Sequence, residues 1–335
     1  MKYLVTGAAG FIGFHVCNEL LKQGKEVIGI DNLNDYYDVN LKKARLKILK
    51  KNKNFLFSKI DIKTFSSLKK IFKSHNPEVV LHLAAQAGVR YSIKNPREYF
   101  ESNSLGTFNI LENVRAFETK SLIIASTSSV YGANTTLPFS EEMTTDHPIQ
   151  FYAATKKNCE TMAHSYSHLF KIPTTILRFF TVYGPWGRPD MALFKFTKSI
   201  LENKPIEVFN NGNHMRDFTY ISDISNVLVK ITKKIPKPDK TWNSKNPKLS
   251  FSNAPFKIFN VGNGKPIKLN NFISHLEYVL GKKAIKVYKP YFKGDIVDTH
   301  SEIKDLKNYI NYNPKIDYKT GIEKFVDWYR DFYKI

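Results

Sequence analysis

Tyr152 and Lys156 are the residues of this chain best placed to act on an alcohol. On a helix, positions i and i+4 share a face, so a lysine four residues after a tyrosine can sit beside its hydroxyl and favour the phenolate. A phenol ordinarily titrates near 10, and ionising one at neutral pH takes about 4 kcal/mol of preferential stabilisation. A cation at roughly 4 Å in an effective dielectric of about 20 supplies that order of energy. Such a tyrosine can take the proton of an alcohol while hydride leaves its carbon. Alone the pattern is weak, because a tyrosine packed on a core with a solvated lysine one turn later is common in helices.

The amino terminus strengthens it. Lys2-Tyr3-Leu4-Val5-Thr6 reads as a buried strand running into Gly7-Ala8-Ala9-Gly10-Phe11-Ile12-Gly13, after which a helical pattern begins. Glycines at that spacing permit a tight turn, let a pyrophosphate approach the backbone and let the helix lie close to the sheet. The helix amino terminus then faces the phosphates. Eighteen residues past Gly13, the strand Glu26 to Ile30 ends at Asp31, whose carboxylate can accept hydrogen bonds from an adenosine ribose. Asp31 is acidic and Asn32 stands where an arginine would serve a 2'-phosphate, so the pattern favours NAD over NADP. Tyrosine, lysine and dinucleotide loop together imply hydride chemistry.

The 335 residues, 42% of them hydrophobic, suit one large or two modest packed domains. No apolar run approaches the roughly 18 residues needed to span a bilayer. The apolar opening belongs to the nucleotide loop rather than to an export signal, so a cytoplasmic location is expected. Cys17 and Cys159 are the only cysteines, which excludes a disulfide framework. The nine histidines lack ligand spacing, His82 in its apolar run reads as a core residue, and no metal is expected. A net charge of +21 invites a nucleic-acid partner, but the lysines are spread along the chain without a stacking motif. They are densest over Lys42 to Lys53 and Lys230 to Lys248. A solvated basic surface, attraction of an anionic substrate or weak contact with acidic lipid accounts for them better.

Strand-like runs at 3–6, 26–30, 54–58, 78–83, 121–125 and 174–178 alternate with helical stretches. That alternation predicts an α/β fold, a doubly wound parallel sheet of the Rossmann type with helices on both faces. Ligands in such sheets sit at the carboxyl ends of the strands. Asp61-Ile62, Leu83-Ala84-Ala85-Gln86 and Ser126-Thr127-Ser128-Ser129 follow the third, fourth and fifth strands and so belong to the expected site. The expected division is a nucleotide-binding domain over 1–182, joined by part of 218–262, and a smaller α/β substrate domain over 183–335. An irregular surface loop is expected at 233–255.

The ordered pieces TGAAGFIG at 6–13, HLAAQAGVRYS at 82–92, STSSVYG at 126–132, YAATK at 152–156 and RDFTYISDI at 216–224 resemble the extended short-chain dehydrogenase/reductases, over nearly the whole chain. Within that superfamily, DNLNDYYDVNLKKARL at 31–46 and RFFTVYGPWGRPDMALF at 178–194 resemble the UDP-glucuronate 4-epimerases, which are NAD-dependent sugar epimerases. The resemblance implies tightly held NAD, with Gly7, Gly10, Phe11, Ile12 and Gly13 on the pyrophosphate and Asp31 and Asn32 on the adenosine ribose. Asp61 and Ile62 would flank the adenine, and Leu83, Ala84, Ala85, Gln86, Asn103, Tyr152, Lys156 and Phe180 the remainder. Tyr152 would be the base, with Lys156 and Thr127 completing the catalytic set. A UDP-sugar would meet Arg90, Thr127, Ser128, Ser129, Tyr152, Thr181, Arg188, Val208, Phe209, Arg216 and Asp295, the Arg216 fork suiting its diphosphate. A homodimer through helices near 103–117 and 152–169 is implied, as is a product that supplies polysaccharide synthesis.

Neighbouring activities separate at positions 128 and 129. Related 4,6-dehydratases carry Asp-Glu directly after the threonine, and UDP-glucuronate decarboxylases carry glutamate directly before Val-Tyr-Gly, whereas here both are serines, Ser128 and Ser129. A uronate oxidised at C4 is a β-keto acid prone to lose carbon dioxide, which neutral donors and a fixed cation would restrain. Arg188 is the candidate cation. The alternatives are a UDP-glucose or UDP-N-acetylglucosamine 4-epimerase, a UDP-glucuronate decarboxylase or dehydratase, and a nucleotide-sensing protein without catalysis. The last is weakest, since Tyr152, Lys156 and Thr127 are all present. One departure from the family pattern is Lys293-Gly294-Asp295, where Pro-Gly-Asp is usual.

Overall fold

The computed structural model describes residues 1–292 and 294–335, so Lys293 of the Lys293-Gly294-Asp295 departure lies outside the described residues. The apolar runs form β1 (Lys2–Thr6), β2 (Glu26–Asp31), β3 (Phe55–Lys59), β4 (Val79–His82), β5 (Ser121–Thr127) and β6 (Thr174–Phe179). Phe256–Val261 pairs with β6 as a seventh strand, giving the order Phe256–Val261, β6, β5, β4, β1, β2, β3. Every pairing in this sheet is parallel. The chain winds in opposite directions from β1, which leaves a crevice at the carboxyl ends of β1 and β4. Strand β4 is buried along its whole length, as a sheet covered on both faces requires, and so reads as an unbroken apolar run.

Helix α1 (Phe11–Lys22) starts directly after the glycine turn. A Cβ at Gly13 would lie 2.0 Å from the Gly7 carbonyl oxygen, and Gly7 has φ +72° with a would-be Cβ 2.9 Å from the Ala84 nitrogen. Only glycine lets turn, helix and the loop after β4 meet this closely. The helix Phe151–Phe170, which carries Tyr152 and Lys156, is capped by Gln150, whose side chain accepts from the Ala153 nitrogen. It packs against β5 and the π-helical segment Phe100–Leu105.

Beyond β6 the elements are shorter. Thr181–Tyr183 pairs with Phe218–Tyr220, Ile206–Phe209 with Lys286–Lys289, and Met215–Arg216 with Ile267–Lys268. The helices Ala192–Leu201, Leu269–Leu280 and Tyr318–Tyr333 cover them with aromatic faces. Phe218 stacks on Phe272 at 4.1 Å between centroids, and Trp186 meets Trp328 and Phe332. Phe272 shares one buried cluster with Val5 of β1 and Phe14 of α1, so a single core runs beneath both ends of the cleft. Residues 233–255 carry no helix or ladder strand, as their composition predicts. No described helix is long and apolar enough to cross a membrane.

Candidate active site

The strand ends converge on one cavity of about 430 Å³. It runs from the Gly7–Gly13 turn past Asp31, Asn32, Asp61 and Ile62 to Leu83, Ala84, Ala85 and Gln86. It continues to Thr127, Ser128, Ser129, Tyr152, Lys156, Phe180, Thr181 and Arg188. Tyr152 is half-buried and Lys156 is 2% exposed, one helical turn apart on the same wall. Glu160 on that helix pairs with Arg178 and Asp146 beside it with Lys157, which leaves the Lys156 ammonium to the cavity. Fully buried Tyr99 meets the Tyr152 ring edge-to-face at 5.9 Å and donates to the Gly88 carbonyl at 2.5 Å, fixing one side of the phenol. His82 bonds the hydroxyls of Thr6 and Thr107 at 2.9 and 3.0 Å, and burial, aided by Lys156, pushes its pKa down to about 3. It is a neutral, satisfied core residue.

The opposite end has the features a dinucleotide needs. Gly10 caps α1 with no side-chain bond, so the first-turn N–H groups are left for an anion. Asp31 accepts from the Leu33 and Ala9 nitrogens at 2.8 and 3.2 Å, which orients its carboxylate at the end of β2. Burial pushes its pKa up against the pull of those N–H groups, Lys42 and Arg45. Asn32 donates to Asp61 at 3.1 Å and ties the loops after β2 and β3 together. Gln86 Nε2 is buried without a partner, a donor left over for a ligand. Glycine cradle, uncapped helix, oriented carboxylate and orphan amide fit NAD.

The four hydroxyls at the end of β5 and just beyond it do not share one role. Ser126 donates to Glu160 at 2.5 Å, and Glu160 forms a two-point bond with Arg178 at 3.0 and 2.8 Å, both side chains 3% exposed. Ser126 is therefore spent on the scaffold. Thr127 accepts from the Ser129 nitrogen at 3.2 Å, which fixes its oxygen and leaves its proton to donate.

Arg188, the candidate cation, lines the cavity already paired with an acid. Its Nε and Nη2 donate to the two oxygens of Asp190 at 3.0 and 2.5 Å, and Tyr36 donates to Asp190 at 3.2 Å. Burial opposes the guanidinium charge, but Asp190 outweighs it and holds the pKa of Arg188 above its ordinary value. Arg188 in turn holds Asp190 below the usual carboxylate range, again against burial. The cavity meets one half of an ion pair.

Residues 3–243 match the model of the NAD dependent epimerase/dehydratase family. The chain belongs to that family. It is 52% identical over 334 residues to Protein CapI of Staphylococcus aureus, covering 100% of both chains. It is 44% identical over 330 residues to the UDP-glucuronate 4-epimerase of Thermodesulfobacterium geofontis, covering 98% of this chain and 96% of that one. The crystal structure of Bacillus cereus UDP-glucuronic acid 4-epimerase in complex with UDP-glucuronic acid and NAD matches with a TM-score of 0.88 at 35% identity, covering 99% of this chain and 100% of that one.

In this member of the epimerase/dehydratase family, several predicted residues lie outside the cavity lining. Asn103 accepts from the Gln86 nitrogen at 2.8 Å and donates to the Gln86 carbonyl and Thr155 hydroxyl at 3.0 Å each, so it positions the Gln86 loop against the Tyr152 helix. Arg90, Phe209, Arg216 and Asp295 belong to a second cluster. Arg90 pairs with Asp295 at 3.0 Å and lies 3.7 Å from the Phe209 ring centroid and 4.6 Å from that of Phe292. Arg216 donates to the Val297 and Ile296 carbonyls at 2.5 and 2.7 Å. Val208 is fully buried and offers no side-chain surface to a ligand. Sequence reasoning missed Asn34, Tyr36, Tyr37 and Lys42, which line the cavity near Asp31. Two adjacent tyrosines in an otherwise polar loop were the available signal, whereas Lys42, bonded to Asn34 at 2.7 and 2.6 Å, resembles its solvated neighbours by type.

Proposed function

We propose that this protein is an NAD-dependent UDP-glucuronate 4-epimerase that interconverts UDP-glucuronate and UDP-galacturonate through a 4-keto sugar. The observation that carries this reading is the meeting of Tyr152, Lys156 and Thr127 with the glycine turn and Asp31 in one cavity, whose 128–129 corner bears hydroxyls in place of an acid. Gly7, Gly10, Phe11, Ile12, Gly13, Asp31 and Asn32 hold NAD, which accepts hydride from C4 of the sugar and gives it back. Tyr152 takes the 4-hydroxyl proton, and the buried Lys156 favours its ionised form. Thr127 donates to the 4-oxygen, while Ser128, Ser129 and Thr181 donate to the uronate carboxylate. Inversion requires the sugar to present its other face, so the nucleotide must be gripped more firmly than the hexose.

Elimination or decarboxylation needs a proton donor at this end of the cavity. Burial pushes Glu160 and Asp190 toward protonation, but Arg178 and Arg188 outweigh it and hold both ionised. Neither can supply that proton. Incubating the purified protein with UDP-glucuronate and following the sugar signals by NMR tests the reading. UDP-galacturonate supports it, and a pentose nucleotide with carbon dioxide, or no turnover, overturns it.

On this reading residues 1–182 with the Phe256–Val261 strand hold the dinucleotide, and 183–335 supply most contacts to UDP, with Arg90, Phe209, Arg216 and Asp295 at its nucleotide end. A homodimer is supported by Leu105 and Phe108, 40% and 41% exposed, beside Phe151, Leu169 and Phe170 on the Tyr152 helix. A second copy packed on these helices would remove that apolar surface from water, and a monomer mass by light scattering would refute it. A cytoplasmic site suits an enzyme drawing on NAD and UDP-sugars with its two cysteines unpaired.

A further inference from the structure

Positive charge is concentrated in one part of this chain. Residues 40–73 hold twelve lysines and arginines against the single Asp61, a net +11 of the chain's +21. Subtracting those twelve from 51 leaves 39 basic residues for the other 301 positions, about four per 34, so a uniform lysine bias does not account for the excess. Lys42 and Arg45 are buried, and Lys63 pairs with Asp61, Glu98 and Glu101. The other nine are all lysines, all exposed, and none pairs with an acid among the described residues.

Four of them line an open groove of about 490 Å³ between helix α2 (Val39–Leu49) and β3, the edge strand of the sheet. Lys43, Lys47, Lys50 and Lys51 form its rim over a floor of Leu33, Leu46 and Phe57. Lys43, Lys47 and Lys50 recur along one helical face, and the Lys50 ammonium stands 5.3 Å from the Phe57 ring centroid. Beside the groove, Ile48 is 36% exposed. No residue of the groove lines the Tyr152 cavity, so an occupant would leave that cavity open.

We propose that this groove docks the protein on an anionic phospholipid surface. Headgroup phosphates meet the lysine rim while Ile48 and Phe57 present apolar atoms to the interfacial layer. Lys43, Lys47 and Lys50 span seven residues of one helical face, about 10 Å at about 1.5 Å rise per residue, so the rim acts as one field over a Debye length of about 8–10 Å. A nucleic acid is the poorer partner, because the rim holds no arginine fork and no row of exposed aromatics for bases to stack on.

Sedimentation of the full chain with large vesicles tests this. Binding is expected to phosphatidylglycerol-containing vesicles and not to pure phosphatidylcholine, and should be lost at high salt. Each lysine near an anionic bilayer is worth about fivefold in partitioning. Lys43→Gln, Lys47→Gln, Lys50→Gln and Lys51→Gln together should therefore weaken binding several hundredfold, with an unchanged melting temperature reporting an intact fold. Should the fourfold variant fail to fold, Lys47→Gln with Lys51→Gln should still weaken it about twenty-fivefold. A matched variant with Lys237, Lys240, Lys245 and Lys248 changed to glutamine loses the same charge from the 233–255 loop and should retain most of the binding. Equal losses in both variants, no binding to anionic vesicles, or displacement from them by single-stranded DNA at equal phosphate would each overturn the proposal.

Discussion

Replacing Asp190 by asparagine probes the arginine end of the cavity. The carboxylate accepts from Arg188 at 3.0 and 2.5 Å and from Tyr36 at 3.2 Å, and the two charged side chains are 22% and 20% exposed. Removing one partner of a fully buried pair costs about 3–5 kcal/mol, and an exposed pair is worth about 1 kcal/mol or less. At one-fifth exposure, and with asparagine still able to accept one bond, a loss of about 2 kcal/mol is expected. Unfolding entropy of about 2.1 cal/mol/K per residue comes to about 0.7 kcal/mol/K for this chain, so Tm should fall by about 3 °C. A uronate carboxylate can take the place beside Arg188 that Asp190 gives up, whereas a hydroxymethyl group cannot. At one fixed concentration, UDP-glucuronate should therefore raise Tm more in the variant than in wild type, and UDP-glucose equally in both. A tenfold gain in affinity corresponds to about 1.4 kcal/mol, or about 2 °C. Scanning fluorimetry reads every arm. A fall in Tm with no extra gain from UDP-glucuronate would remove the substrate carboxylate from Arg188, and no fall would show that the ion pair does not stabilise the fold.

Tyr152→Phe should lower kcat on UDP-glucuronate about a hundred- to ten-thousandfold with NAD content unchanged, and turnover near the wild-type rate would remove Tyr152 as the base. Gly13→Ala would put a Cβ 2.0 Å from the Gly7 oxygen; the purified variant should be depleted of NAD, measured as nucleotide released on denaturation, and full occupancy would contradict the close-approach argument. Burial raises the pKa of Glu141 to about 7 from 4.5, although the Asn260 nitrogen donates to it at 2.7 Å. The folded state then binds more protons than the unfolded one between those values, so stability should fall as pH rises through the window, by up to about 3 kcal/mol. Urea titrations across that range should show a flatter profile for Glu141→Gln, and an unchanged slope would argue against the raised value.

Five strands of the sheet were legible because burial on both faces makes them short apolar runs between helical patterns, and the half-exposed edge strand β3 was marked by Phe55-Leu56-Phe57. The seventh was not, because Lys257 interrupts its apolar run and only its pairing with β6 marks it as central. The dinucleotide half of the site was legible for a similar reason, since close backbone approach fixes residue type at consecutive positions. Roles that depend on distant partners were not. Nothing near Ser126 in the sequence indicates that its hydroxyl belongs to Glu160, 34 residues away, and through it to Arg178. The bonds of Asn103 to Gln86 and Thr155 likewise have no local signal in the sequence. Asp190 is only two residues from Arg188, yet their pairing depends on an irregular turn that neither helix nor strand periodicity describes.

The arginines expected to meet substrate share one property that bears on recognition. Arg188 is paired with Asp190, Arg90 with Asp295, and Arg216 with three main-chain carbonyls. A guanidinium does not shed its proton at any ordinary pH, so one held in a partly buried wall needs acceptors whether or not a ligand is present. On the proposed function, the substrate's carboxylate and diphosphate then replace existing bonds rather than add to an empty set. Each anion contributes only the difference between two pairings, which moderates affinity. Discrimination survives, because a sugar without the anion leaves the internal pair in place and gains nothing from that arginine.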